Sequence, residues 1–244
     1  MPTEPYIPQD RKLPVKLERD LILDSVVEIR FVPSVPSEEV QTKIFEAIYK
    51  DFPFSMEVTV PPVEMRAVEP FKYSVTTLLH NKEFSIGFGR SSIVFNCMNG
   101  YKGWKSFSEF IKKYVRHFYS VGLFSQIIRV GLRYVNFFPN RTDLSQHIML
   151  EIKFNNFQKY TSLHTSLSLQ LKKGDCQFTL TVHDTALVNG IPGSVLDIDV
   201  TKAGPGDASF EDVCSQIEQL HHEEKDLFIN ILHPDFLQTL GPSY

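Results

Sequence analysis

The chain is poor in the features that announce a mechanism. Its three cysteines, Cys97, Cys176 and Cys214, form no Cys-x-x-Cys pair and leave one odd under any pairing, which points to a reducing cytoplasm. No apolar run approaches the roughly 18 residues that a membrane-spanning helix needs. The opening Met1-Pro2-Thr3-Glu4-Pro5-Tyr6-Ile7-Pro8 lacks the basic-then-apolar layout of a secretion signal. Also missing are the Gly-x-x-x-x-Gly-Lys-Ser/Thr phosphate loop, the Gly-x-Gly-x-x-Gly dinucleotide fingerprint, the Gly-x-Ser-x-Gly elbow and the His-Glu-x-x-His zinc motif. No cofactor is therefore expected, and no residue is assigned a catalytic role.

What is present describes a construction. Ten of the fifteen prolines fall in the first 70 residues, and residues 1–20 read as an extended N-terminal arm. Residues 25–32 alternate as a strand, and Ser37 is placed to cap a helix reaching Lys50, with Val40, Ile44, Ala47 and Ile48 on one stripe. A meander follows. Turns at Asn81-Lys82 and Arg90-Ser91 set Phe84 opposite Leu79 and Cys97, Ile86 opposite Thr77 and Phe95, and Phe88 opposite Val75 and Ile93, with a bulge expected around Gly89. Trp104, Phe107, Phe110, Ile111, Tyr114, Val115 and Phe118 then recur at helical spacing and are read as core.

The second half repeats that plan: a strand at 127–138, a helical turn near Leu144–His147 and a strand at 148–154. A hairpin turning at Lys173-Gly174 pairs Leu171 with Cys176, Leu169 with Phe178 and Leu167 with Leu180, while Gln170, Ser168 and Ser166 face Gln177, Thr179 and Thr181. The Leu196-Asp197-Ile198-Asp199-Val200 strand follows, then a helix from Phe210 to Leu232 opened by Ser209 and Asp212 and stopped at His233-Pro234. The expectation is an α+β fold of two loosely similar units, 21–122 and 123–244, each strand, short helix, antiparallel meander and long helix. They would form one structural domain with the long helices on one face of the sheet.

Several motifs resemble a known family. Arg129-Val130-Gly131-Leu132-Arg133-Tyr134-Val135-Asn136, Leu196–Val200 and the C-terminal Leu220-His221…Phe228 helix are similar to a sporadically distributed, functionally uncharacterised prokaryotic family of comparable length. Val27-x-Ile29-Arg30-Phe31 and Gly100-Tyr101-x-Gly103-Trp104 fit the same pattern, so the resemblance spans roughly residues 20–235. It supplies no catalytic residues. By analogy with other scattered families, it implies an accessory role in a mobile or defence-associated module.

The candidate chemistry falls into three groups. Arg129 and Arg133 emerge on one face of their strand, as do Asp197 and Asp199 on theirs. Those four meet as a charge-assisted network or, with His221, line a ligand cavity suited to a small anion. His164 and His183 are expected to face each other across the hairpin, an arrangement that two imidazoles of a metal site would need, though a third ligand is not in view. Lys102, Lys105, Lys112, Lys113 and Arg116 form a basic helix suited to a polyanion. Residues 101–133 carry seven basic side chains against Glu109, while 197–226 carry nine acids against Lys202 and Lys225, so the two segments are suited to pair, within one chain or between two copies.

The leading expectation is a non-enzymatic cytoplasmic protein that binds another protein, with no membrane association. The alternatives are a small-ligand sensor or enzyme built on the Arg/Asp/His cavity, and a nucleic-acid binder using residues 102–116.

Overall fold

Three long segments alternate between apolar and polar residues, and that period of two dictates a sheet with one face buried against other elements. A computed structural model describes residues 12–57, 75–141, 143–150 and 166–244. The long segments are β2 (Ile22–Pro33), β7 (Phe124–Pro139) and β10 (Ile191–Gly206). They lie side by side near the middle of a nine-stranded antiparallel sheet. Its order is β3 (Phe54–Glu57), β4 (Thr77–His80), β5 (Phe84–Phe88), β6 (Ser92–Cys97), β2, β7, β10, β9 (Cys176–Val188) and β8 (Ser166–Lys173). On each side of the β2–β7 seam the same plan recurs. A first strand pairs with the last strand of a meander, and a long helix follows the meander. The α+β reading thus holds.

The helices cover one face. α1 (Val40–Ile48) buries Val40, Ile44 and Ile48, and α2 (Trp104–Ser120) buries Phe107, Ile111, Val115 and Phe118 against Phe84, Phe95 and their neighbours. Phe84 and Phe110 stack with centroids 4.4 Å apart. α3 (Phe210–Ile231) buries Val213, Ile217, Leu220 and Phe228 over Leu132, Leu196, Ile198 and Val200. Each such side chain contributes about 1.5–3 kcal/mol by leaving water, so this layer dominates the stability. A short α4 (Pro234–Thr239) leads to β11 (Pro242–Ser243), which pairs with β1 (Lys16–Leu17) and ties the two ends of the described chain together.

Local chemistry explains most boundaries. Ser209 Oγ accepts the Asp212 backbone N–H at 3.1 Å while the Asp212 carboxylate accepts the Ser209 N–H at 2.9 Å, the reciprocal cap expected for α3. Ser37 does not cap α1; its hydroxyl meets Glu38 instead, and the helix begins at Val40 behind Glu39. The β5–β6 pairing has the expected register, Phe84 to Cys97, Ile86 to Phe95 and Phe88 to Ile93, with no bulge at Gly89.

Two other turns sit one residue later than expected. Leu79 pairs with Ile86 rather than Phe84, because Asn81 precedes the turn, its side chain accepting the N–H groups of Glu83 and Phe84 at 2.8 Å. Leu171 pairs with Phe178 rather than Cys176, because Gly174, at φ +59°, takes the first of two turn positions, as a type II′ turn prefers. Each slip is two residues in register, so every side chain keeps its face. The expected strand at 148–154 lies mostly outside the described residues; Ile148 forms a single bridge to Leu232.

At the far end of β10 the register with β7 shifts between Ala203 and Gly206. A Cβ on Gly204 would stand 2.1 Å from the Ile127 carbonyl oxygen, so only glycine fits. Gly204→Ala is expected to destabilise the protein by about 2 kcal/mol or more, read as a lower urea midpoint; an unchanged midpoint would contradict this packing.

Candidate functional site

Alternation along β7 divides its chemistry between two faces. Arg129 and Arg133 point away from the helices, whereas Val130, Leu132, Tyr134 and Asn136 point toward them. β10 sorts likewise, with Asp197 and Asp199 away from the helices and Leu196, Ile198 and Val200 beneath them.

On the face that none of the described helices covers, the arginines and acids pair. Arg133 grips Asp197 through Nε and Nη2, at 2.8 and 2.7 Å. Arg129 does not meet Asp199. It pairs with Glu28 of β2, whose other oxygen accepts Arg30 Nε at 3.0 Å. Both arginines are thus already compensated, and Asp199, 6% exposed, is the surplus acid. Burial pushes its carboxyl up to about 7 despite the opposing pull of Arg129 and Arg133. Of the expected Arg/Asp network the Arg133–Asp197 pair forms, while Arg129 takes Glu28 in place of Asp199. His221 is on the other face of the sheet, so the single cavity joining it to these four residues does not form.

The remaining sequence candidates separate. Ser166, not His164, stands opposite His183 and meets its Nδ1 at 2.9 Å; His164 lies outside the described residues. The two-residue slip of the hairpin is the cause. No cluster of three metal-ligating side chains occurs among the described residues. In the basic helix, Lys112 pairs with Glu218 at 2.6 Å, Lys113 with Asp51 at 2.6 Å, and Arg116 lies over the Phe210 ring. Lys102 donates to the Asn99 carbonyl, and Lys105 is exposed. The basic and acidic segments therefore meet within one chain at Lys112–Glu218.

His221 belongs to a different site. Gly103, at φ +82°, turns the chain so that Trp104 opens α2, and the indole lies flat on the His221 ring, 3.9 Å between centroids and 13° from parallel. Trp104 Nε1 donates to Glu218 at 2.7 Å, which fixes the ring. Tyr134 rises from β7 to meet His221 Nδ1 at 3.2 Å, and Tyr101 meets the Tyr134 hydroxyl at 3.1 Å. Burial first, with Lys225 adding to it, pulls the imidazole down to about 4, so His221 is neutral at physiological pH. Burial raises both tyrosines, which stay protonated.

These residues wall a cavity of about 470 Å³ between α3, β7, the Tyr101–Lys105 segment and the N-terminal segment 14–22. Phe228, Ile229, Ile22 and Leu17 complete its apolar lining. Val15, Lys16 and Lys105 line it and are exposed, so the cavity reaches solvent beneath the N-terminal segment. That segment is held by Val15 N–H to the Ser243 carbonyl, by Arg19 N–H to the Leu240 carbonyl and by Lys225 Nζ reaching the Val15 carbonyl at 3.4 Å. Glu224 lies in the wall at 2% exposure, and its Oε1 has no hydrogen-bond partner among the described residues. Burial raises its carboxyl well above the usual range, Asp20 and Asp197 add to the rise, and only Lys225 opposes it. An unpartnered buried carboxyl costs about 1–3 kcal/mol.

His221 and Glu224 sit one helical turn apart on α3, and the histidine's partners are Tyr134 and Trp104. Tyr101 and Tyr134 were visible only as members of motifs, and Trp104 was read as core. The usable signal was parity, since Tyr134 must oppose Arg133. No protein-family model and no curated protein matches the chain.

Asp199 and His221 titrate with opposite signs. For Asp199 the folded carboxyl sits above its unfolded value of 3.8, so its contribution is fully present below about pH 4 and is lost as pH rises through about 7. For His221 the folded imidazole sits below 6.5, so stability is lost as pH falls from 6.5 toward about 4. The two slopes oppose each other between those values. Asp199→Asn isolates the first: relative to wild type, its unfolding free energy in urea should gain up to about 4 kcal/mol between pH 4 and 7. A difference independent of pH would contradict the surplus-acid account.

Proposed function

We propose that the protein is a ligand-binding module that takes a small, largely apolar molecule into the cavity between α3, β7 and the N-terminal segment. The observation that carries this reading is a cavity of about 470 Å³, a volume typical of small-molecule sites, walled by Trp104, Tyr101, Tyr134 and Phe228. A wall of rings with a few fixed polar groups is how such sites combine affinity with orientation. Three free cysteines favour work in the cytoplasm, and among the described residues no helix is long and apolar enough to cross a membrane.

The chain has a single tryptophan, so the Trp104 indole N–H gives one assigned probe inside the cavity. A nuclear magnetic resonance screen of fragment mixtures against the ¹⁵N-labelled protein should find compounds that shift that signal together with those of Tyr134 and His221. Hits that shift only signals elsewhere would contradict the reading.

Docking of another protein is a second reading, favoured by exposed aromatics at the β3 side of the molecule. Phe45 and Tyr49 stack in the open on and just beyond α1, with centroids 5.4 Å apart, and Phe54 and Met56 of β3 are about half exposed. Under this reading, Phe45→Ser with Tyr49→Ser abolishes co-purification of a partner that wild type retains. Retention of that partner by the double variant would contradict it.

A further inference from the structure

We propose that the cavity ligand carries a single ammonium group on an apolar body of about ring size, and that Glu224 is its counter-ion. This rests on the cavity being a ligand site and names the chemistry the site would select.

Glu224 is buried with an oxygen that nothing in the described protein engages, and the residue belongs to the wall of a cavity lined mostly by rings and aliphatic side chains. A lone buried carboxyl is retained at a cost, and a cation entering the cavity would remove that cost. The charged groups around it do not do so. Lys225 is its neighbour on the helix, but Lys225 Nζ is committed to the Val15 carbonyl at 3.4 Å. Lys16 and Lys105 are exposed at the mouth, where Asp20 adds a second carboxylate. His221 is neutral, and Tyr101 and Tyr134 are protonated hydroxyls. Among the described residues, no cation therefore occupies the inner end beside Glu224.

The donors point the same way. An anionic ligand would need several N–H or O–H groups aimed inward, and those present are largely committed. Trp104 Nε1 serves Glu218, Asn136 Nδ2 serves the Leu196 carbonyl at 3.4 Å, and the hydroxyls of Tyr101 and Tyr134 serve each other and His221. Besides Lys16 and Lys105 at the mouth, the uncommitted groups are a carboxyl oxygen, His221 Nε2 and the faces of rings. Ring faces carry negative quadrupoles that attract ammonium groups, and a buried carboxylate completes such a cage. Binding moves one proton and forms no covalent bond. Burial pushes the Glu224 carboxyl toward its protonated form; a ligand that enters as an ammonium ion displaces that proton to solvent, and the carboxylate pairs with the ligand N–H groups.

Three probes of matched shape test this: 2-phenylethylamine, 2-phenylethanol and phenylacetate, each titrated at pH 7 against the full chain with Trp104 fluorescence as readout. Calorimetry of the amine in two buffers of different ionisation heat then counts protons. The inference expects the amine to bind at least about tenfold tighter than either analogue, the discrimination that a charge-assisted hydrogen bond supplies, with about one proton released per amine bound. Glu224→Gln, the same shape and uncharged like the protonated acid, should abolish that preference while leaving binding of the alcohol unchanged. If the variant fails to fold, the ligand series and proton count on wild type decide alone. Equal or tighter binding of the alcohol or of phenylacetate would overturn the ammonium inference and leave the cavity reading standing. No change in Trp104 fluorescence with any of the three would overturn both.

Discussion

The chemistry on both faces of the sheet depends on the alternation of side chains along β7. A strand must send successive residues to opposite faces, and β7 is central, so its two faces meet two different environments. Arg129 and Arg133 go to the face away from the described helices, where Glu28 and Asp197 of the flanking strands neutralise them. Tyr134 and Asn136 go beneath α3, where a cavity remains. A one-residue slip against β2 or β10 would bury the arginines under the helices and expose the tyrosine. The ion pairs therefore act as a register lock as well as a source of stability.

The helix face behaves in two ways. Over most of its area, Phe, Ile, Leu and Val fill the space between sheet and helices at full burial. Packing is looser where α3 passes over the start of β2 and the end of β7. There, large flat side chains (Trp104, Tyr101, Tyr134, His221) brace one another by stacking and hydrogen bonds instead of interdigitating. Such a braced wall keeps its shape without filling the space. The pairing of β1 with β11 closes the mouth with a segment that rests on few backbone hydrogen bonds, so the entrance is the least firmly held part of the site.

Legibility in the sequence followed the physics of each element. The α+β class, the inward stripe of α2, the capping box at Ser209–Asp212 and the β5–β6 register were readable because periodicity and capping are local properties. The two slipped hairpins were not, because a two-residue shift preserves every face and only turn chemistry decides it: the Asn81 side chain at one turn, positive φ at Gly174 at the other. The pairing of His164 with His183 fell with the second slip. Joining His221 to the Arg/Asp cluster failed for a different reason, since sequence showed which residues share a face of their own strand but not on which side of the sheet a distant helix would lie. Glu28, the missing partner of Arg129, is about a hundred residues from it in the chain and had no local signature.

The helix-face cavity has in its wall a carboxyl with no hydrogen-bond partner among the described residues. The most direct test is to follow the side-chain carboxyl carbons of ¹³C-labelled glutamate by nuclear magnetic resonance from acid to neutral pH, assigning Glu224 by its loss in Glu224→Gln. The account predicts that the Glu224 signal still reports a protonated carboxyl at pH 7 after the surface glutamates have titrated. A Glu224 signal that titrates with the surface glutamates would mean that the carboxyl is solvated or paired, and the case for a site built around it would fall.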